Sequence, residues 1–228
     1  GQLGIDCYRQ DCNINPLLFW RNGEAADRQG IREISHITGM YDYLDTLLRD
    51  HPNLVIDNCA SGGRRIDFEM LRRSVALWRS DYMLEYVGYH SMTYGLSLWI
   101  PLHGVGSVST DPYVFRSGMG ANFTLAVDYY SPGSTVWGPA TQLLNQYRQI
   151  RPCFSGDFYP LTPYSIDTTS TIAWQFDRPD LGQGLIQVFR RPDCTRWSAT
   201  YKPQGLNPTA TYQVTNPDVP GWSLTQTG

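Results

Sequence analysis

Short apolar runs alternate with helix-like patterns along the first two thirds of the chain. The runs that predict strands are residues 3–8, 54–56, 76–79, 96–102 and 122–127. Helical patterns end at Pro52 and again at Pro152, because proline cannot continue a helix. Strands that alternate with helices predict βα units around a parallel sheet. Five strands are fewer than a complete (β/α)8 barrel needs, and a doubly wound sheet fits this pattern equally well.

The pattern changes after Pro152, where prolines separate short runs of alternating polarity. Such alternation is typical of half-buried strands, and here it covers residues 171–176, 185–189 and 197–201. Arg178-Pro179-Asp180 and Asn207-Pro208 predict turns. We therefore expect two domains, an α/β domain over residues 1–152 and a small antiparallel β domain over residues 158–228.

Composition and charge exclude several classes of partner. The net charge is -3, whereas a nucleic-acid surface needs a basic stripe, so we expect no nucleic-acid partner. The chain has neither an apolar run long enough to span a bilayer nor a polybasic segment, so we expect no membrane partner. Aromatic residues make up 13% of the chain, which suits sugar ligands, although composition alone favours a tyrosine-rich core and surface.

The cysteines and histidines show no metal-binding or disulfide pattern. The number of cysteines is odd, and no CxxC pair occurs among Cys7, Cys12, Cys59, Cys153 and Cys194. The four histidines are scattered, so we expect neither a structural zinc site nor a disulfide framework. An odd number of free cysteines favours the cytoplasm.

Polar residues gather where the predicted strands end. In parallel βα folds the active site is built at the carboxyl ends of the strands. These residues are Asp11, Asn13, Asp57, Asp81 and His103. Asp11 and Asp81 would then form the carboxylate pair that glycoside hydrolysis requires. Each is also explained as a turn or helix-capping residue, and the strand pattern alone favours that interpretation. His103 lacks partners at metal-ligand spacing, so we expect it to be structural.

Aromatic side chains offer a further choice between core and sugar platform. Trp99 lies inside the fourth predicted strand, so we expect it in the core. Trp137 fits either role.

Three short motifs occur in a fixed order along the chain. Arg9-Gln10-Asp11-Cys12-Asn13 comes first, the segment from Cys59 to Arg65 with Asp67 behind it comes second, and Trp78-Arg79-Ser80-Asp81 comes third. The glycines of the second motif match neither of the common phosphate-loop patterns. Together the motifs resemble the KWDMN, CxxGxxR and W-x-S-D motifs of glycoside hydrolase family 36, the melibiase-type α-galactosidases.

The resemblance implies a retaining α-galactosidase that acts on terminal α-linked galactose in oligosaccharides without a metal or an organic cofactor. Asp11 would be the nucleophile, ionised beside Arg9, and Asp81 the general acid/base, protonated in the free enzyme. Retention needs the two carboxyl groups about 5–5.5 Å apart. The residues that would line the galactose subsite are Arg9, Asn13, Cys59, Gly62 and Trp78. Arg65 would either contact the sugar or hold the loop.

The resemblance also implies a (β/α)8 barrel followed by a C-terminal β-sandwich. Residues 1–152 would supply strands 4 to 8 of this TIM barrel and residues 158–228 the sandwich. We therefore expect the chain to be a fragment that lacks the first three barrel strands and a preceding β domain. In the full-length protein a homo-oligomer is compatible with these features.

Three positions depart from the family pattern; they leave the hydrolase interpretation in place but leave open the exact sugar and the leaving-group site. Arg9 replaces the family's lysine, Gln10 replaces a tryptophan, and Tyr82 follows Asp81 where the family commonly has a second acid. The same layout serves galactosyl transfer, as in raffinose-type synthases, and hydrolysis of other α-linked sugars. A different class of function is a non-catalytic carbohydrate-binding protein on a decayed barrel.

Overall fold

A computed structural model describes residues 4–82, 85–128 and 135–228 of the chain. The chain forms two compact units. The first comprises Gly1–Tyr89 and Leu102–Leu143, and the second comprises His90–Pro101 and Leu144–Gly228. The predicted domain ranges, 1–152 and 158–228, stay a prediction.

The first unit contains parallel strands in chain order. Strand β1 (Cys7–Asp11) pairs in parallel with β2 (Val55–Cys59), and β3 (Gly104–Ser107) pairs in parallel with β4 (Asn122–Leu125). Residues 75 and 76 lie between these pairs, because Val75 forms a parallel bridge with Asp57 and Ala76 forms one with His103. The predicted parallel pairing of successive segments is confirmed.

Helices connect these strands. They are α1 (Leu17–Arg21), α2 (Ile31–Asp50), α3 (Phe68–Leu71), α4 (Tyr86–Leu96), α5 (Pro112–Gly118) and α6 (Trp137–Ile150). The predicted helix ends at Pro52 and Pro152 are confirmed within two residues, at the ends of α2 and α6. Within the described ranges, no helix combines the length and hydropathy that a membrane crossing needs.

A hydrophobic cluster explains how β2 presents its side chains. Leu44 of α2, Ile56 of β2 and Met70 of α3 are fully buried against one another. Side chains alternate along a strand, so Ile56 faces this core while Asp57 and Cys59 lie on the opposite face. The core therefore fixes the orientation of the polar face of β2.

Two predictions about the region before β3 are wrong. Residues 96–102 are not a strand, since Leu96 ends α4 and a turn follows. An apolar run by itself does not distinguish a helix end from a buried strand. The strand that follows is glycine-rich because a Cβ at Gly104 or Gly106 would collide with backbone oxygens of β4. Trp99 is 44% exposed rather than in the core, and Trp137 is also exposed.

The second unit contains antiparallel strands. Strands β5 (Asp157–Pro160), β6 (Thr171–Arg178) and β7 (Gln183–Arg190) form one sheet, and β8 (Thr211–Thr215) pairs with β9 (Ser223–Thr227). The strands predicted at 171–176 and 185–189 are confirmed, but residues 197–201 form no strand. Trp197 there is 90% exposed, so the alternation marks no buried face. The sandwich arrangement stays a prediction.

Candidate active site

Strands β1 and β2 place four polar side chains next to one another. In the parallel register Arg9 lies opposite Asp57, and Asp11 lies opposite Cys59. Arg9 and Asp11 share one face of β1 because successive side chains alternate. Gln10, one of the departures from the family pattern, therefore points to the other face of the strand.

The guanidinium group of Arg9 contacts two carboxylates. Its Nη1 donates a short hydrogen bond to Oδ2 of Asp57, and its Nη2 donates to Oδ2 of Asp11 at 3.3 Å. Burial lowers the pKa of Arg9, but the hydrogen bond and the negative charge of Asp57 raise that pKa to a net value above the ordinary one. Arg9 is therefore a fixed cation beside the carboxylate of Asp11.

Cys59 is buried at the end of β2, beside Asp11. Burial raises the pKa of its thiol, so the thiol is protonated at neutral pH and is not a thiolate nucleophile. Its Sγ donates to the carbonyl oxygen of Gly62 at 3.7 Å, and Nη1 of Arg65 donates to the carbonyl oxygen of Cys59 at 3.5 Å. These contacts fold the loop after β2 back onto the strand, with Arg65 as a loop-holding residue.

The glycine-rich loop packs directly against the segment that carries Asp81. A Cβ on Gly62 would lie 2.7 Å from the backbone nitrogen of Asp81 and 2.9 Å from Cα of Ser80. Gly62 also has a left-handed φ of 77°, as does its neighbour Ser61 with a φ of 48°. The paired glycines thus serve a close backbone approach, which only a residue without a side chain allows.

Asn13 ties the same loop to the end of β1. Its Oδ1 accepts hydrogen bonds from the backbone nitrogen of Ser61 at 2.8 Å and from the Ser61 hydroxyl at 3.3 Å. Non-glycine residues with left-handed backbone are concentrated at functional sites, where surrounding contacts hold them in place. Asn13 supplies such a contact for Ser61.

Asp81 is exposed and is oriented by the indole of Trp78. Nε1 of Trp78 donates to Oδ1 of Asp81 at 2.8 Å. The residues predicted for the site are therefore linked into one continuous set of contacts, comprising Arg9, Asp11, Asn13, Cys59, Gly62, Arg65, Trp78 and Asp81. Their catalytic and sugar-binding roles, and the expected protonation of Asp81, stay predictions.

His103 is buried next to this set, in contact with the buried guanidinium group of Arg79. Its Nδ1 lies 3.1 Å from Nη1 of Arg79. Burial and then the charge of Arg79 lower the pKa of His103 to about 3, so the ring is neutral and Nδ1 accepts from Arg79. This environment agrees with the structural role that we expect for His103.

Asp57 has a larger part in the site than its sequence position indicated. Its position at a predicted strand end, outside the three motifs, assigns it no role. It is 5% exposed and accepts hydrogen bonds from both Arg9 and the backbone nitrogen of Leu77. The available signal was an acidic residue inside an apolar run, which is costly unless the charge is paired.

The described part of the candidate site contains two carboxylates with polar neighbours. Among residues 4–82, 85–128 and 135–228, no group of three or more His, Cys, Asp and Glu side chains is placed to hold a metal ion. Two carboxylates with polar neighbours can supply a nucleophile and a proton donor to one ligand.

Comparisons with known proteins agree with the motifs. The Melibiase family model matches residues 2–117, just over half of the chain. Alpha-galactosidase 1 of Pediococcus pentosaceus is 29% identical over 223 residues, which cover 92% of this chain and 30% of that protein. The chain thus spans less than a third of the length of this relative.

Solved structures share the fold. The crystal structure of the α-galactosidase from Lactobacillus brevis matches with a TM-score of 0.76 and 20% identity, over 98% of this chain and 31% of that one. A variant of the family 36 α-galactosidase AgaA from Geobacillus stearothermophilus, in complex with stachyose, matches with a TM-score of 0.71 and 24% identity over 92% and 31%. The chain belongs to the Melibiase family, the melibiase-type members of glycoside hydrolase family 36 that its three motifs resemble.

Proposed function

We propose that the full-length protein is a retaining α-galactosidase that hydrolyses terminal α-linked galactose from oligosaccharides by double displacement. One observation carries the proposal. The loop from Cys59 to Gly63 touches both carboxylate-bearing segments, because Cys59 lies beside Asp11 in the strand register and Gly62 packs against the backbone of Asp81. One loop thus contacts both segments, which supports the assignment of Asp11 and Asp81 as the two carboxylates that the chemistry needs.

In the proposed mechanism Asp11 attacks the anomeric carbon while Asp81 protonates the departing oxygen. Asp81 then removes a proton from water, which releases galactose from the covalent intermediate with its configuration retained. Arg9 donates to the carboxylate of Asp11 at 3.3 Å and places a positive charge beside it. Trp78 directs the carboxyl group of Asp81. No step requires a metal or an organic cofactor.

The proposed substrate is an α-galactoside oligosaccharide. The relatives are named α-galactosidases, and one matched structure holds stachyose, which supports this substrate class. The proposed galactose subsite is formed by Arg9, Asn13, Cys59, Gly62 and Trp78. Arg65 contacts the backbone of Cys59, which supports a loop-holding role rather than a sugar contact.

The proposed fold context is a TIM barrel whose strands 4 to 8 come from residues 1–152, followed by a β-sandwich over residues 158–228. The chain-order parallel neighbours of the first unit and the antiparallel sheets of the second support this context. A homo-oligomer is a further proposal for the full-length protein.

Replacement of Asp11 tests the nucleophile assignment. In the full-length protein we expect Asp11→Ala to lose nearly all hydrolysis of an aryl α-galactoside, because no group then attacks the anomeric carbon. External azide, entering from the vacated face, should partly restore turnover and give β-galactosyl azide. Asp42→Ala, an exposed aspartate in α2, is the matched control and should leave turnover unchanged.

Three results would separate the alternatives. Turnover by Asp11→Ala at the wild-type rate would contradict the nucleophile assignment. Preferential transfer of galactose to an added sugar acceptor would indicate a raffinose-synthase-like galactosyltransferase. Sugar binding without any turnover by the wild-type protein would indicate a non-catalytic carbohydrate-binding protein.

A further inference from the structure

Asp57 is a buried carboxylate whose two oxygens are both occupied. Oδ2 accepts from Nη1 of Arg9, and Oδ1 accepts from the backbone nitrogen of Leu77 at 3.1 Å. The side chain lies in the middle of β2 and is 5% exposed. A charge at such a depth is costly unless a counter-charge and hydrogen bonds compensate it, and both partners here do so.

The first partner leads to the proposed nucleophile. The guanidinium group is a rigid planar fork, so a fixed Nη1 also fixes the position of Nη2. Asp57 holds Nη1 from a buried position, whereas Asp11 contacts Nη2 from a partly exposed one. The buried contact therefore determines where Arg9 presents its second nitrogen to Asp11.

The second partner leads to the proposed acid/base. Val75 donates to the carbonyl oxygen of Ile56 and accepts from the nitrogen of Asn58, as in a parallel ladder. A continued ladder would pair the nitrogen of Leu77 with the carbonyl oxygen of Asn58. Instead that nitrogen donates to the side chain of Asp57. Trp78 follows directly, and its indole contacts Asp81.

We propose that Asp57 is a positioning residue that sets the geometry of both catalytic carboxylates at once, through Arg9 to Asp11 and through Leu77 and Trp78 to Asp81. This inference rests on the proposed α-galactosidase function. Asp57 contacts the side chain of Arg9 and the backbone of Leu77, so its effect on Asp11 and Asp81 is exerted through these two partners.

Replacement of Asp57 by asparagine in the full-length protein tests the inference. Asparagine keeps the shape of the side chain and an oxygen that accepts from Leu77, but it removes the negative charge that faces Arg9. Arg9 then acts on Asp11 alone, which favours the ionised, less reactive carboxylate. We expect kcat for an aryl α-galactoside to fall at least tenfold, with KM changed less, and the acidic limb of the kcat/KM profile to move to lower pH.

The variant Arg9→Lys is a second test of the link from Asp57 to Asp11, and it does not depend on the stability of the Asp57 variant. One ammonium group cannot span both carboxylates, so we expect it to remain with buried Asp57 and to leave Asp11 without its donor. The acidic limb should then move to higher pH, opposite to the shift expected for Asp57→Asn. Asp42→Asn, which makes the same charge change on the exposed face of α2, should leave both kcat and the profile unchanged.

The outcomes distinguish this inference from the function beneath it. Wild-type turnover of α-galactosides with both limb shifts in the expected directions supports the inference. The positioning role alone is overturned if the wild-type protein hydrolyses α-galactosides but Asp57→Asn leaves kcat and the pH profile unchanged. It is also overturned if the wild-type protein is active and Arg9→Lys leaves the pH profile unchanged. A wild-type protein that hydrolyses no α-galactoside overturns the proposed function and this inference together.

Discussion

Gly62→Ala is the substitution for which the structure gives the clearest magnitude. The new Cβ would lie 2.7 Å from the backbone nitrogen of Asp81, whereas ordinary van der Waals contact begins at 3.4 Å. The φ of 77° adds left-handed strain of about 1–2 kcal/mol for a residue with a Cβ. Overpacking against backbone adds about 1–3 kcal/mol. We therefore expect a loss of about 2–5 kcal/mol in the free energy of unfolding.

Activity should fall as well, because the strain is relieved by movement of Asp81. A displacement of about 0.7 Å would restore normal contact, and displacements of about 1 Å at a catalytic group cost on the order of 100-fold in rate. We expect kcat for an aryl α-galactoside to fall about 10- to 100-fold in the full-length protein. Denaturant-induced unfolding and steady-state kinetics of the same preparation measure the two effects.

Gly182→Ala is the matched control for backbone strain without steric collision. Gly182 has a φ of 61°, and a Cβ there would meet nothing within 4 Å. We expect this variant to lose about 1–2 kcal/mol and to keep wild-type kcat. Equal stability losses in the two variants, together with an unchanged kcat in Gly62→Ala, would refute the reasoning from the close approach to Asp81.

Two further predictions concern Trp78 and His103. Trp78→Phe keeps the aromatic ring but removes the donor to Oδ1 of Asp81. We expect kcat to fall about 3- to 10-fold for alkyl galactosides but to change little for nitrophenyl galactosides, because the nitrophenolate leaving group needs no proton. Equal losses for both substrates would contradict this. The pKa of His103 is lowered from 6.5 to about 3, so the unfolded chain binds a proton that the folded chain excludes, and stability should decline as pH falls from about 6.5 towards 3. Chemical unfolding at pH 7 and pH 5 measures the change in the free energy of unfolding between the two pH values. The variant His103→Gln lacks the histidine contribution, so an equal change in both proteins would contradict the prediction.

The parts of the fold that could be predicted are those with strong local periodicity. Helix α2 repeats apolar residues at helical spacing over 20 residues. Strand β6 has an apolar, strand-forming run around a fully buried Trp174, and its residues 172–177 are buried on both faces. Strand β3 could not be predicted in the same way. Its sequence Gly-Val-Gly-Ser is set by the close approach of β4, which is a long-range contact without a local signal.

The candidate site also contains residues that local sequence predicts and contacts that only the folded sheet shows. Asp11 and Asp81 were found because each belongs to a short motif that resembles a known family. The link through Asp57 depends on the register that places Arg9 opposite it, and a register between segments 48 residues apart is a property of the folded sheet. Motifs therefore identify the residues proposed to react, whereas the sheet shows which neighbours contact them.

The contact between the glycine loop and the Asp81 segment has an evolutionary consequence. The nearest atoms that a Cβ on Gly62 or Gly63 would meet are main-chain atoms of residues 79–81 and, at Gly63, the side chain of Ile66, so this close approach does not depend on which side chains those three positions carry. Mutation can therefore explore the flanks of Asp81, including Tyr82, which is 55% exposed, without moving the carboxylate. In a lineage with this loop, we expect substitutions on either side of Asp81 to accumulate while the position of its carboxylate is retained.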